Sequence, residues 1–236
     1  MKRSAKLRMR HPIIGRRPKW TPWGALRRPM GEFLSIQILD ESTTTWPFVS
    51  INAMAHGKVR ALVQTCPHEV TWLSPVTVQS DGNVLITDVF VPEQECNSCY
   101  TRVTRDGESA LISVLVTQRN FTTVKSLICW GHSHAVGSVY ASNEDEACTR
   151  DFLKSMREMG KTHFVRLVVN KWDDLFASLY RLDEKRAYHH VPLRVEPPET
   201  DRWRAWAKKE VRDKVIRIPE PELEDFDDVM WFWQRR

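Results

Sequence analysis

Nowhere does the chain hold about 18 consecutive apolar residues, so no transmembrane helix is predicted and no membrane partner is expected. The N-terminus is charged but has no apolar h-region, which argues against export by a signal peptide. A disulfide framework is missing too. Cys66, Cys96, Cys99, Cys129 and Cys148 form an odd set scattered through predicted strands and helices, and a reducing, cytoplasmic compartment is expected. Acidic residues are absent from positions 1 to 30, which hold ten lysines and arginines. The remaining chain then carries 25 basic against 30 acidic residues, a formal −5, so the net charge of +5 belongs to an arm rather than to a domain.

At 236 residues the chain suits one sizeable domain with extensions. Residues 1–31 place Pro12, Pro18, Pro22 and Pro29 among arginines without apolar periodicity, the composition of a poorly ordered arm. Two readings of this arm stay open. It is either a solvated tail whose Trp20 and Trp23 dock on the domain, or an electrostatic contact for nucleic acid or an acidic partner. A mitochondrial presequence shares the arginine bias. Residues 32–195 are expected to form the domain. Residues 196–236 read as a linker at EPPE, a short helix over TDRWRAWAKKEVRDKV, and an acidic spacer before Val229, Met230, Trp231, Phe232 and Trp233. That terminal cluster is expected to dock on its own domain, with partner binding as the alternative.

Within the domain, FLSIQIL alternates as a strand. Ile51, Met54, Ala55, Val59, Leu62 and Val63 recur at three and four, which predicts a helix that Pro67 ends. Glu69 enters the strand VTWLSPVTV, and Asp81-Gly82-Asn83 predicts a hairpin to VLITDVFV. ALISVLVT and VKSLICW read as further strands, the second leading into Gly131. HFVRLVVN and FASLYRLD read as a closing strand pair. The alternating order predicts an α/β fold with a mixed, curved sheet flanked by helices.

The stretch GHSHAVGSVYASNED, Gly131 to Asp145, concentrates the chemistry. His132 and His134 are two apart, so in an extended segment both imidazoles point to one side. Ser142 and Asp145 then open a predicted helix that runs to about Met159 and stops at Gly160. Serine with an acidic residue three positions on is also an ordinary capping box, so these two alone say little. Two histidines and a carboxylate make three protein ligands, the number a catalytic zinc site uses while keeping a fourth position for water.

His-x-His, seven residues, Ser, two residues, Asp resembles the JAMM motif of the JAB/MPN metalloprotease family, and Glu69 in HEVTWLSPV resembles that family's upstream glutamate. TDVFVPEQE is similar to the strand and turn of bacterial JAB domains, and the resemblance covers roughly Val49 to Val195. It implies a single JAB/MPN-like domain holding Zn2+ through His132, His134 and Asp145. Glu69 is implied as the general base and Ser142 as the donor to the oxyanion. The activity implied is hydrolysis of a peptide or isopeptide bond, with a ubiquitin-like protein or peptide as substrate and activating and conjugating enzymes as neighbours. Two departures stand out: Ala135 replaces a usual proline, and Thr71-Trp72-Leu73-Ser74-Pro75 replaces common glycines. Both touch loop shape and substrate fit more than metal binding.

Other candidates carry less. Cys96-x-x-Cys99 has no second pair at zinc-ribbon spacing and reads as structural. His68 adjoins Glu69 but would face the other way in a strand. His189 and His190 have no partner motif and read as ordinary strand residues. A non-catalytic MPN-type scaffold is the rival function, although its usual mark, a lost ligand, is missing. Nucleic-acid binding through the arm lacks any sequence-reading motif.

Overall fold

A computed structural model describes residues 46–135 and 137–220. The basic arm, the FLSIQIL segment and the Val229–Trp233 cluster lie outside the described residues. In chain order the elements are β1 (Val49–Ile51), α1 (Ala53–Thr65), β2 (Thr71–Val78), β3 (Val84–Ile86), β4 (Gln94–Cys96), β5 (Thr101–Val103), α2 (Gly107–Thr117) and α3 (Phe121–Ser126). There follow β6 (Leu127–His134), α4 (Asn143–Glu158), β7 (His163–Asn170), β8 (Leu175–Arg181), β9 (Arg186–Tyr188), β10 (Leu193–Val195), α5 (Thr200–Lys214) and β11 (Val215–Arg217).

Eight strands form one mixed sheet in the order β10-β1-β3-β2-β6-β7-β8-β9, and β11-β4-β5 form a second, smaller one. The large sheet curls. Val191, just before the β10 edge, donates its N–H to the carbonyl of Ala177 in β8, near the opposite edge. At the centre β6 runs antiparallel to β2 and parallel to β7, and every residue of β6 and β7 is buried. Strands covered on both faces read as continuous apolar runs, which is the pattern of LICW and HFVRLVV.

Helix α1 starts where Asn52 accepts the N–H of Ala55, and its buried face follows the predicted stripe through Ala55, Val59, Leu62 and Val63. Gly57 is set by a close approach: a Cβ there would lie 2.8 Å from Trp203 of α5. A glycine inside a helix costs about 1 kcal/mol relative to alanine, and here it lets two helices meet. Lys58, also nearly buried, reaches Asp88 at 2.5 Å and lies over the rings of Trp203 and Trp206 at 4.7 and 5.0 Å. The helix expected within the C-terminal extension is thus α5, packed on α1, with Ala207 wholly buried.

Four local expectations need correction. Of VLITDVFV only Val84–Ile86 is strand, β3, and Phe90 makes an isolated bridge to Leu73. ALISVLVT is helix α2, not a strand: Leu111 and Leu115 are buried while Val114 and Val116 are exposed, a spacing of four rather than two. VKS belongs to α3, so β6 begins only at Leu127. His189 and His190 follow β9 rather than lying in it, and His190 takes a positive φ of 56°.

Candidate metal centre

The site is assembled from β6 and the first turn of α4. β6 carries Trp130, His132 and His134 on one face, as the two-residue period dictates. Over that face lies α4, whose Asp145, Thr149, Phe152 and Met156 recur at four, three and four along the helix. Phe152 stacks on Trp130 at 5.2 Å and on Phe164 of β7 at 5.6 Å. The apolar seam that docks α4 therefore also points Asp145 at the histidines.

Three donor atoms converge. His132 Nε2 and His134 Nε2 are 3.2 Å apart, and Asp145 brings Oδ1 to 3.0 Å from the first and Oδ2 to 3.3 Å from the second. Zinc–nitrogen and zinc–oxygen bonds of about 2.0–2.1 Å in a tetrahedron put neighbouring ligand atoms about 3.3–3.4 Å apart, so the spacing suits one such ion. Among the described residues this trio is the cluster able to hold a metal. The donor chemistry fits as well: imidazole with carboxylate is a zinc-type set.

Each of the three side chains is oriented by a different force. His134 Nδ1 lies 2.5 Å from the carbonyl of Ser138, to which it donates, leaving Nε2 to face Asp145. His132 Nδ1 is buried without a hydrogen-bond partner, and its ring is held instead by stacking on Trp130 at 4.6 Å. Asp145 is fixed by the capping box: Oδ2 accepts the N–H of Ser142 at 2.7 Å, and the Ser142 hydroxyl accepts the N–H of Asp145 at 3.1 Å. The expected capping role and the proximity to the histidines therefore coexist in one residue pair. Ser142 is exposed, and as its oxygen accepts from Asp145 its O–H proton is free to be donated outward.

Electrostatics couple the group. Burial alone would raise the Asp145 carboxyl, but hydrogen bonds from His132 and His134 overcome it and hold the group below the ordinary carboxylate range. Burial lowers His132. Burial also pulls on His134, yet the bond to Asp145 and the Ser138 carbonyl leave it raised.

Glu69 lies in the short link between α1 and β2, buried, with its N–H donated to the carbonyl of Asn97 at 3.0 Å. Desolvation raises its carboxyl to about 7, with the Asp145 charge adding to the rise and His134 opposing it. Its backbone is anchored to the histidine strand by a buried network. Ser133 Oγ accepts the N–H of Val70, and Thr71 Oγ1 donates to the carbonyl of Gly131 while accepting the Trp130 indole N–H. Gln94, wholly buried, brackets Thr71 by accepting its N–H and donating to its carbonyl. On the reverse face Gly131 leaves room for Trp72: a Cβ there would run into the indole nitrogen.

The remaining candidates are not members of the trio of His132, His134 and Asp145. His68 approaches Glu220 at 3.9 Å. Cys96 is buried and Cys99 exposed, and the Cys99 thiol donates to Asn97 Oδ1 at 3.6 Å. Gln94 belongs to the TDVFVPEQE stretch of the resemblance but carries no assigned role in the sequence, and Ser133 and Arg166 are not singled out there, although an arginine inside the otherwise apolar run of β7 is a visible signal. No model of a known protein family matches the chain, and no curated protein matches it either.

Proposed function

We propose that the chain is a zinc-dependent hydrolase of peptide or isopeptide bonds, a single-domain enzyme of the JAB/MPN type that removes a ubiquitin-like protein from its conjugates. The observation that carries the reading is the convergence of His132, His134 and Asp145 beside a buried glutamate whose carboxyl is raised to about 7. The substrate class comes from the resemblance of the histidine, serine, aspartate and glutamate pattern to that family. Retention of all three ligand positions favours catalysis over an MPN-type scaffold.

When bound, zinc supplies Lewis acidity that brings the ionisation of water towards neutral pH and polarises a carbonyl. Glu69 would then accept the proton of the attacking water and pass it to the departing amine, a double task open to a buried carboxylate beside the metal. The free Ser142 proton is donated to the oxyanion, an interaction of a type worth roughly 3 kcal/mol in the barrier. Ser142 is tied to Asp145 through the capping box, so the oxyanion donor and a ligand keep a fixed relation.

Cleavage of an isopeptide-linked or diglycine-terminated fusion substrate tests the proposal, with Glu69→Gln alongside the wild type. The variant is expected to keep its zinc and lose about 10²- to 10⁴-fold in rate, the usual share of a general base. Full activity in Glu69→Gln would remove the mechanism. Inactivity of the wild type on every such bond would shift the reading to the scaffold.

A further inference from the structure

Arg166 stands in the middle of β7 with an exposure of only 1%. A guanidinium taken out of water is costly unless paired, and an apolar residue of similar volume is often no less stable in such a place. What the charge does there is visible in its bonds. Nη1 donates to Glu146 Oε1 at 2.7 Å and to Thr149 Oγ1 at 3.0 Å, and both acceptors lie on α4. Thr149 Oγ1 donates in turn to the carbonyl of Asp145 at 2.6 Å. A continuous chain of hydrogen bonds therefore runs from β7 to the backbone of the residue that supplies the carboxylate. β7 is the parallel neighbour of the histidine strand, with Arg166 beside Trp130 and Val168 beside His132. The same strand pair thus carries the two imidazoles and the cation that tethers the opposing helix.

We infer that Arg166 is a positioning residue of the metal centre: through Glu146 and Thr149 it fixes the first turn of α4, and with it Asp145, against His132 and His134. The inference rests on the reading of those three side chains as metal ligands. Arginine suits the task because its two Nη1 protons leave in fixed directions, one to each acceptor, whereas a lysine ammonium is a point charge on a flexible stem. A purely structural role makes a different forecast. Glu146 is half-exposed and regains water when its partner is lost, so a methionine that fills the space should leave the metal-free fold about as stable while loosening Asp145.

The experiment measures zinc dissociation constants by competition with a chromophoric chelator, together with the metal-free melting temperature, on the full chain. The set is wild type, Arg166→Met, Arg166→Lys and Thr149→Val. Arg166→Met and Thr149→Val are expected to weaken zinc binding roughly 10- to 100-fold, the usual effect of removing a group that orients a ligand. Arg166→Lys should recover part of that loss, and the metal-free melting temperature of Arg166→Met should not fall. Wild-type zinc binding matched by both variants would overturn the positioning role alone. A fall in melting temperature that parallels the loss of affinity in both would reduce Arg166 to a structural residue. No zinc binding by the wild type would overturn the ligand reading itself. If Arg166→Met does not fold, Thr149→Val decides, because it breaks the chain in the middle and leaves the guanidinium paired with Glu146.

Discussion

Glu69→Gln should do more than stop catalysis: it should stabilise the metal-free protein at alkaline pH. Burial raises the Glu69 carboxyl from an ordinary 4.5 to about 7, so the native state binds this proton more tightly than the unfolded chain does. Below about pH 4.5 both states are protonated and the site carries no penalty. Between there and 7 the unfolded chain ionises while the native site keeps its proton, so stability falls as pH rises; above 7 the loss is complete. At 1.36 kcal/mol for each pKa unit the loss amounts to about 3 kcal/mol. Glutamine has nearly the same volume and does not titrate. Urea denaturation of the metal-free wild type and variant should give similar stabilities near pH 4.5 and a gap of about 3 kcal/mol in favour of the variant near pH 8. Titrating groups remote from Glu69 are common to both proteins and cancel in the difference, while His134 and Asp145, which feel its charge, shift with it. Zinc should narrow the gap, since a nearby cation favours the charged carboxylate. Parallel stability curves for the two metal-free proteins across this range would refute the argument that Glu69 is buried at the cost of its own ionisation.

Further outcomes are accessible to simple assays. Gly131→Ala drives a methyl group into the Trp72 indole, and thermal denaturation should show a loss of roughly 1–3 kcal/mol, the ordinary range for overpacking; an unchanged melting temperature would contradict the close approach. Zinc affinity, followed by chelator competition, should fall as pH drops, with the fall setting in above the ordinary histidine range, because the raised His134 must give up its proton before it can bind; pH-independent affinity between 5 and 8 would argue against His134 as a ligand. Deleting residues 1–30 should abolish salt-sensitive binding to polyanions and leave hydrolysis nearly unchanged, which filter binding at two salt concentrations together with the cleavage assay would report.

What could be read without coordinates was what obeys a local period. The two-residue spacing of His132 and His134, the four-residue stripe of α1 and the serine-to-aspartate cap of α4 are all short-range patterns, and each appears in the structure at or near its expected bounds. Helix α2 was misread because Ile112, Val114 and Val116 suggest a strand by their branching, and a short apolar run does not distinguish the two periods. Only the burial of Leu111 and Leu115 decides it, and that depends on what packs against them. The tether from Arg166 to Asp145 spans elements about twenty residues apart and has no periodic signature. The docking of α5 on α1 was equally hidden, since Gly57 looks like a defect in its helix until Trp203 is seen above it. How the glutamate reaches the histidines was also illegible: the network through Thr71, Gln94 and Ser133 is built wholly from contacts between distant strands.

His132, His134 and Asp145 are expected to hold one zinc ion, which elemental analysis of the purified chain reports without any assumption about substrate. The wild type should carry about one zinc per chain, and Asp145→Ala and His134→Ala should each release it. Equal zinc in the wild type and in both variants would contradict the account and place the metal elsewhere.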